Sequence, residues 1–554
     1  VCIRAKPLES YEDVINPHFY DETAIMTIPL DNVINYIVTR VSHSSRVSRQ
    51  KNRPADRKSA ARTGNTTQME PKNLIILMSD EHTKSVTGCY GHPFISTPNI
   101  DALAAGGTRF DAAYTVCPVC VPARASFATG KYVHQIGAWD NATPFDGTQA
   151  NWHALLRDRG HQTVSIGKLH FRSGEDDNGF ADEELAMHII DGKGDLLGLI
   201  RDEDTPKRGA SWKMAKLAGP GESMYTRYDR DITSRAQSWL YEEAPKYADK
   251  PWVLFVSFVA PHFPLTAPSE HFYRYYNRDL PPPKLYDKRS SPIHPYIDDY
   301  RSIFTYDEHF KTPDMVKRAQ AGYLGLISFM DEQVGLILRA MEDAGLSSDT
   351  RVLYTTDHGD NMGNRGAWGK SVMYEEAAAV PLILSGPEIP KGKVVKTPAT
   401  HCDIYPFIMD CVGAADGETL PADLPGSNLL DLAAGAAPDR VAFSEYHGMG
   451  SKTAAFLVRK GDWKLIHYED YPDQLFNLAD DPEELSDVAD DPAHAGIMKD
   501  LAAELRKICD PAAVDKAARK TQARMIVENG GKEAIIKRGD LGFSVPPGVQ
   551  PMFD

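Results

Sequence analysis

From position 73 onward, short continuous apolar runs alternate with stretches of helical periodicity. Residues 73–78 (NLIILM), 163–166, 252–259 and 351–356 (RVLYTT) have the length and apolar content of strands buried on both faces. Thr97-Pro98-Asn99 opens a helix through Asp101, Leu103 and Ala104. Residues 322–344 form the clearest helical pattern: Ile327, Met330, Val334, Ile337, Leu338 and Met341 recur at 3.6 spacing, and Gly345 suits the C′ position. Buried strands alternating with helices predict an α/β fold with a large, mostly parallel sheet. The pattern changes after Gly435. Residues 440–446, 454–459 and 463–468 read as strands joined by short turns, with a helix over 493–508, which predicts a smaller C-terminal α+β domain. The charged run 172–216 reads as an insertion over one end of the sheet. The Gly/Pro-rich stretch 530–554 reads as an extended tail. The resulting organisation is a non-catalytic extension (1–68), a catalytic body (69–436) and a C-terminal subdomain with its tail (437–554).

Composition narrows the class. Of the 554 residues, 42% are hydrophobic and 25% charged, which suits a globular protein with a large core. A net charge of −16 argues against a nucleic-acid partner. Seven cysteines in so long a chain do not make a disulfide framework. The longest apolar run, 252–260, is too short to span a bilayer, so no membrane partner is expected. No basic segment followed by an apolar one opens the chain; with no secretory signal, a bacterial-type cytoplasmic location is the expectation. Positions 40–62 carry eight Lys/Arg against one acid, Asp56. A solvated extension is the simpler reading, and a polyanion-binding arm the alternative.

In open α/β sheets, ligands bind beyond the carboxyl ends of the strands. Here those ends carry Ser79-Asp80-Glu81, Gly167-Lys168-Leu169-His170, Ala260-Pro261-His262 and Asp357-His358-Gly359-Asp360. One such group is usually a surface loop; four together point to one polar site. Asp80 and Asp357 with His358 suit Ca2+, Mn2+ or Mg2+ better than Zn2+, since no HExxH is present and there is only one CxxC. Lys168 and Lys370 could hold an anion, which suggests metal-assisted reaction of a negatively charged ester. Cys117-Pro118-Val119-Cys120 could be a redox pair. However, Pro122 suits the first turn of a helix, which would place Cys120 at an anion-favouring N-terminus with Arg124 close by.

The run Cys120-Val121-Pro122-Ala123-Arg124, followed by Thr129-Gly130, resembles the type I sulfatase signature. Thr97-Pro98-Asn99, Gly167-Lys168-Leu169-His170, Ala260-Pro261-His262, Asp357-His358-Gly359 and Arg459-Lys460-Gly461-Asp462-Trp463-Lys464 follow in that family's order, over roughly residues 69–520. The resemblance implies an alkaline-phosphatase-like sandwich and oxidation of Cys120 to Cα-formylglycine by a formylglycine-generating enzyme. It also implies hydrolysis of a small-molecule sulfate ester. One divalent metal, Ca2+ ahead of Mn2+ or Mg2+, would be held by Asp80, Asp357, His358 and the residue-120 oxygen. His262, helped by Lys370, would protonate the departing alcohol. His170 would take the proton that releases sulfate, and Arg124, Lys168 and Lys370 would neutralise the sulfuryl oxygens. Such a site would be a positive pit in an acidic surface.

Departures matter. Asp80-Glu81 stands where many members have Asp-Asp, so Glu81 is open between ligand and bystander. Asp357-His358 and Asp140-Asn141 resemble choline sulfatases, where Asn141 would contact sulfate. Ser444-Glu445-Tyr446-His447 is a softer match, with His447 either structural or lining the pocket. Asp357-His358 also fits phosphonate monoester hydrolases, the nearest rival, although that group tends to replace the Lys and His kept here as Lys168 and His170. A homo-oligomer is expected, because tails in such enzymes often cross to a neighbour.

Overall fold

The computed structural model describes residues 70–202, 204–287, 293–415 and 420–554. The expected extension 1–68 lies outside the described residues, as does Met69. The large sheet has eight strands: β1 (Asn73–Asp80), β2 (Gly107–Phe110), β3 (Thr163–Lys168), β4 (Asp182–Met187), β5 (Val253–Pro261), β6 (Thr350–Thr356), β7 (Leu382–Ser385) and β8 (Lys393–Val395). Their spatial order is β8-β2-β7-β6-β1-β5-β3-β4. Only β7 runs antiparallel to its neighbours, so the sheet is mixed and mostly parallel.

The central strands are buried on both faces, which is why they are uninterrupted apolar runs. In β1, Leu74, Ile76 and Met78 enter one core, and Ile75 and Leu77 the other. The second core is closed by three helices, α1 (Pro98–Ala105), α3 (Met224–Ser238) and the C-terminal half of α4 (Pro313–Asp343), while α2 (Cys120–Thr129) and α5 (Ile404–Cys411) close the first on the opposite face. Each fully buried Leu or Ile contributes about 1.5–3 kcal/mol, so these two layers hold the strand ends firmly.

The expected helix 322–344 is the C-terminal part of α4, which starts at Pro313 behind an N-cap, Thr312, whose hydroxyl accepts the Met315 N–H at 3.3 Å. Gly322 and Gly325 lie within the helix without breaking it. They are close-approach positions: a Cβ on Gly322 would lie 2.2 Å from the Leu265 carbonyl oxygen.

The charged run 172–216 is not wholly an insertion. It supplies β4, an edge strand of the main sheet whose acidic residues, Asp182 to Glu184, suit an unpaired edge. In the C-terminal region, β9 (Val441–Tyr446), β10 (Ala455–Lys460), β11 (Trp463–Tyr468) and β12 (Gln474–Asn477) form an antiparallel sheet, backed by α6 (Ala495–Ile508). Phe443, Tyr446 and Phe456 pack in one cluster with Tyr114, Val116 and Trp139 from the larger part. Two helices were not anticipated: α7 (Pro511–Glu528) and α8 (Lys532–Arg538). The buried stripe of α7 is Pro511, Asp515, Ala518 and Gln522, which has helical spacing but no apolar signal. The tail is therefore partly helical before it becomes irregular. No helix among the described residues is long and apolar enough to cross a membrane.

Candidate active site

Register builds the centre of the site. β1 pairs with β6 so that Ser79 lies opposite Thr356, and the next residues, Asp80 and Asp357, leave the sheet side by side. α2 begins beneath them. Val119 is its extended N-cap, Cys120 its first residue, and Arg124 falls one turn later on the same face. Ligand atoms of Asp80, Cys120, Asp357 and His358 all lie within 4.8 Å of one another, and all four residues are buried. Cys120 Sγ is 3.1 Å from His358 Nε2 and 3.7 Å from Asp80 Oδ1. His358 Nδ1 faces its neighbour's carbonyl, Gly359 O, at 3.0 Å, so Nδ1 carries the proton and Nε2 turns its lone pair to the cluster.

Cations brace the acids. Arg124 donates to Asp357 Oδ2 at 2.8 Å, the Lys168 carbonyl at 2.7 Å and Ser257 Oγ at 2.9 Å. The Lys168 ammonium donates to Asp80. Burial opposes ionisation of Asp80, but Lys168, His262, Lys370 and Arg124 hold it well below the usual carboxylate range. Three acids (Asp80, Glu81, Asp357) thus meet three cations (Arg124, Lys168, Lys370). Two carboxylates, an imidazole lone pair and residue 120 converge at this point. That donor set fits a hard divalent cation.

A second cluster handles protons. Lys370 Nζ is 2.8 Å from His262 Nε2, 3.0 Å from Cys120 Sγ and 3.2 Å from Glu81 Oε2. His262 Nδ1 donates to the Phe263 carbonyl at 2.7 Å, so Nε2 accepts from the Lys370 ammonium. Burial, then the Lys370 charge, keeps His262 neutral, well below its ordinary value. Burial lifts Glu81 to about 8 despite Lys370. Glu81 lies beside Asp80 and His262 rather than in the four-residue cluster. His170, also neutral through burial and Lys168, has Nε2 2.7 Å from Ser544 Oγ. Glu81, His170 and Ser371 all have left-handed backbone (φ 70°, 59° and 78°), a strain of about 1–3 kcal/mol each that clusters at functional sites.

These groups meet at one cavity of about 850 Å3, its open mouth included, lined by Cys120, Asn141, His170, His262 and Lys370. Arg124 and Lys168, expected at the sulfuryl oxygens, do not line it; they stand behind Asp357 and Asp80. Asn141 Oδ1 accepts the Val121 N–H at 3.2 Å, next to Cys120. His447 is not among the lining residues: it is buried against Glu445 at 2.9 Å and edge-on to Trp139. Cys117 and Cys120 are both free thiols. Burial and Asp80 push the Cys120 thiol up to about 12, the opposite of the depressed value a reactive redox pair needs. The sequence reading missed Ser257, Tyr225, Arg208, Asp540 and Ser544. Each reaches the site from a segment whose local pattern is ordinary.

A family model described as Sulfatase matches residues 72–414, and one described as N-sulphoglucosamine sulphohydrolase, C-terminal, matches residues 363–510. A choline-sulfatase of Rhizobium meliloti (strain 1021) is 30% identical over 415 residues, covering 73% of this chain and 80% of that one. Arylsulfatase K of Bos taurus is 29% identical over 432 residues, covering 74% and 76%. The solved phosphonate monoester hydrolase of Agrobacterium radiobacter shares the fold, with a TM-score of 0.64 at 23% identity over 79% of this chain and 95% of that one. With the matched segment spanning most of the chain and every strand end that meets at Cys120, the chain belongs to the sulfatase family.

Proposed function

We propose that the chain hydrolyses sulfate monoesters to an alcohol and inorganic sulfate, with Cys120 oxidised to formylglycine as nucleophile. The observation that carries this reading is the position of residue 120: first in α2, in reach of Asp80, His358 and Lys370, on the cavity floor. Asp80, Asp357, His358 and residue 120 would hold a divalent cation, Ca2+ first, which when bound supplies positive charge to the nucleophile and the sulfuryl group. The aldehyde hydrate at position 120 supplies a nucleophile that can regenerate itself.

The chain's own residues do the rest. Lys370 holds a proton on Nζ, donated to the His262 Nε2 lone pair at 2.8 Å, which the pair can pass to a departing alkoxide. Asn141, whose Oδ1 holds the Val121 N–H, and the dipole of α2 would favour an anion at the helix N-terminus. His170 is held neutral and can accept a proton. Arg124 and Lys168 fix Asp357 and Asp80 and add to the positive field. Cys120 is only 1% exposed, so the formylglycine-generating enzyme would act before this site folds.

Two measurements test the reading. Mass spectrometry of the Cys120 peptide should show thiol-to-aldehyde conversion at Cys120 and an unmodified Cys117. The kcat/KM for an aryl sulfate should exceed that for the matching aryl phosphonate. An intact Cys117–Cys120 disulfide in active protein, or a clear phosphonate preference, would overturn it.

A further inference from the structure

The matched family segments end at residue 510, yet the cavity is closed by residues beyond them, Leu541 to Ser544. That segment is anchored on both sides. Asp540 accepts from Arg208 at 2.7 Å and from the Ala210 N–H at 2.9 Å, and Arg208 also holds Asp195 at 2.9 Å. Asp540 and Asp554 exchange backbone hydrogen bonds at 2.9 and 2.8 Å, and Lys213 pairs with Asp554 at 2.6 Å. The Tyr225 hydroxyl donates to the Ser544 carbonyl, and its ring stands edge-on to both His262 and Phe543.

At this anchored position Ser544 Oγ meets His170 Nε2, while His170 Nδ1 is buried without a hydrogen-bond partner among the described residues. A neutral imidazole has one proton and one lone pair. A hydroxyl on Nε2 fixes the ring's rotation and decides which nitrogen carries the proton. The polar floor at Cys120 and Lys370 suits the sulfuryl end, which leaves the alcohol to the apolar walls, where Phe543 faces Phe263 with ring centroids 5.7 Å apart. We propose that the C-terminal segment 540–544 is part of the active site, with Ser544 a positioning residue for His170 and Phe543 a size-selecting wall for the alcohol half of the substrate. This rests on the sulfatase reading above.

The test uses the full chain with 4-nitrophenyl sulfate and the bulkier 4-methylumbelliferyl sulfate. If the parent turns over only phosphonate esters, the sulfatase reading falls by itself, and the variants below are compared on phosphonates of the same two sizes. Ser544→Ala should lower kcat about 3- to 10-fold, the worth of one hydrogen bond, with KM within about twofold. Ser544→Thr should restore most of the loss, which a general folding defect would not allow. Phe543→Ala should raise the bulky-to-small ratio of kcat/KM about tenfold. The proposal is overturned by parental kcat in Ser544→Ala, by a fall that Thr does not restore, by a gain in kcat/KM on removing the hydroxyl, or by an unchanged size ratio in Phe543→Ala.

Discussion

Replacing Arg124 by Ala removes the guanidinium that ties Asp357 and Asp80 to the end of the sheet. Its side chain is 2% exposed, and it makes three hydrogen bonds of 2.7–2.9 Å, with a longer contact of 3.5 Å to Asp80. Breaking a buried pair by removing one partner costs about 3–5 kcal/mol, because the remaining charge is left uncompensated. Asp357 keeps the backbone N–H groups of Glu81 and His358, so the lower end applies, about 3 kcal/mol or roughly a hundredfold in the folding equilibrium. Thermal unfolding in chelator, at fixed scan rate and protein concentration, should show Tm lowered by roughly 3 °C, since the unfolding entropy of so long a chain is about 1 kcal/mol/K. Arg124→Lys retains the charge without the planar fork and should lose roughly half as much. Adding Ca2+ should shrink both deficits, since a cation between the carboxylates replaces the missing charge. If Arg124→Ala in chelator unfolds within about 1 °C of the parent, or no worse than Arg124→Lys, the bracing argument is wrong.

Three further outcomes are expected. Glu445 is fully buried between His134 and His447, each at 2.9 Å, and against the cost of burial their hydrogen bonds hold its carboxyl at about 2. A depressed carboxylate contributes above its ordinary value near 4.5, and the contribution is lost as pH falls through 2; His134, raised by the same contact, contributes below 6.5 and loses its share as pH rises. Glu445→Gln should therefore cost about 3 kcal/mol between pH 4.5 and 6.5 and progressively less below, followed as Tm against pH; a deficit that is flat down to pH 2 would contradict this. Cys120→Ala should cut turnover on the order of a thousandfold or more while leaving the circular dichroism spectrum unchanged, and parental turnover would remove residue 120 from the chemistry. Exhaustive chelation should abolish aryl sulfate hydrolysis, with Ca2+, Mn2+ or Mg2+ restoring it; calorimetric titration of Asp357→Asn should show weakened cation binding, and undiminished affinity would place the cation elsewhere.

Much of the site was legible because its residues sit at strand ends. A strand buried on both faces must be apolar, so where the run stops, the next polar residues are what the sheet presents. Asp80, Lys168, His262 and Asp357 were found in this way, without knowledge of the pairing. The helix start at Cys120 was legible from Pro122 and the Arg124 spacing. Short or edge elements were not. β2, β7 and β8 have too few residues for a pattern, and β4 is charged because it lies at the edge. The role of Gly322 and Gly325 was not legible either: they let α4 approach the 265–267 segment closely.

The sequence by itself determined the alternation of buried strands and helices, the acidic surface, and which residue types leave each strand. Those features are local, set by burial of one segment at a time. Only the tertiary structure decided that Asp80 and Asp357 lie side by side, since that depends on strand register across some 270 residues. It also decided that Arg124 and Lys168 face the carboxylates rather than the cavity. And it decided that Ser544, 374 residues from His170, meets its ring. The energies of such contacts depend on distance in space, and the tail that delivers Ser544 is held by ion pairs whose residues, taken singly, look like ordinary surface charge.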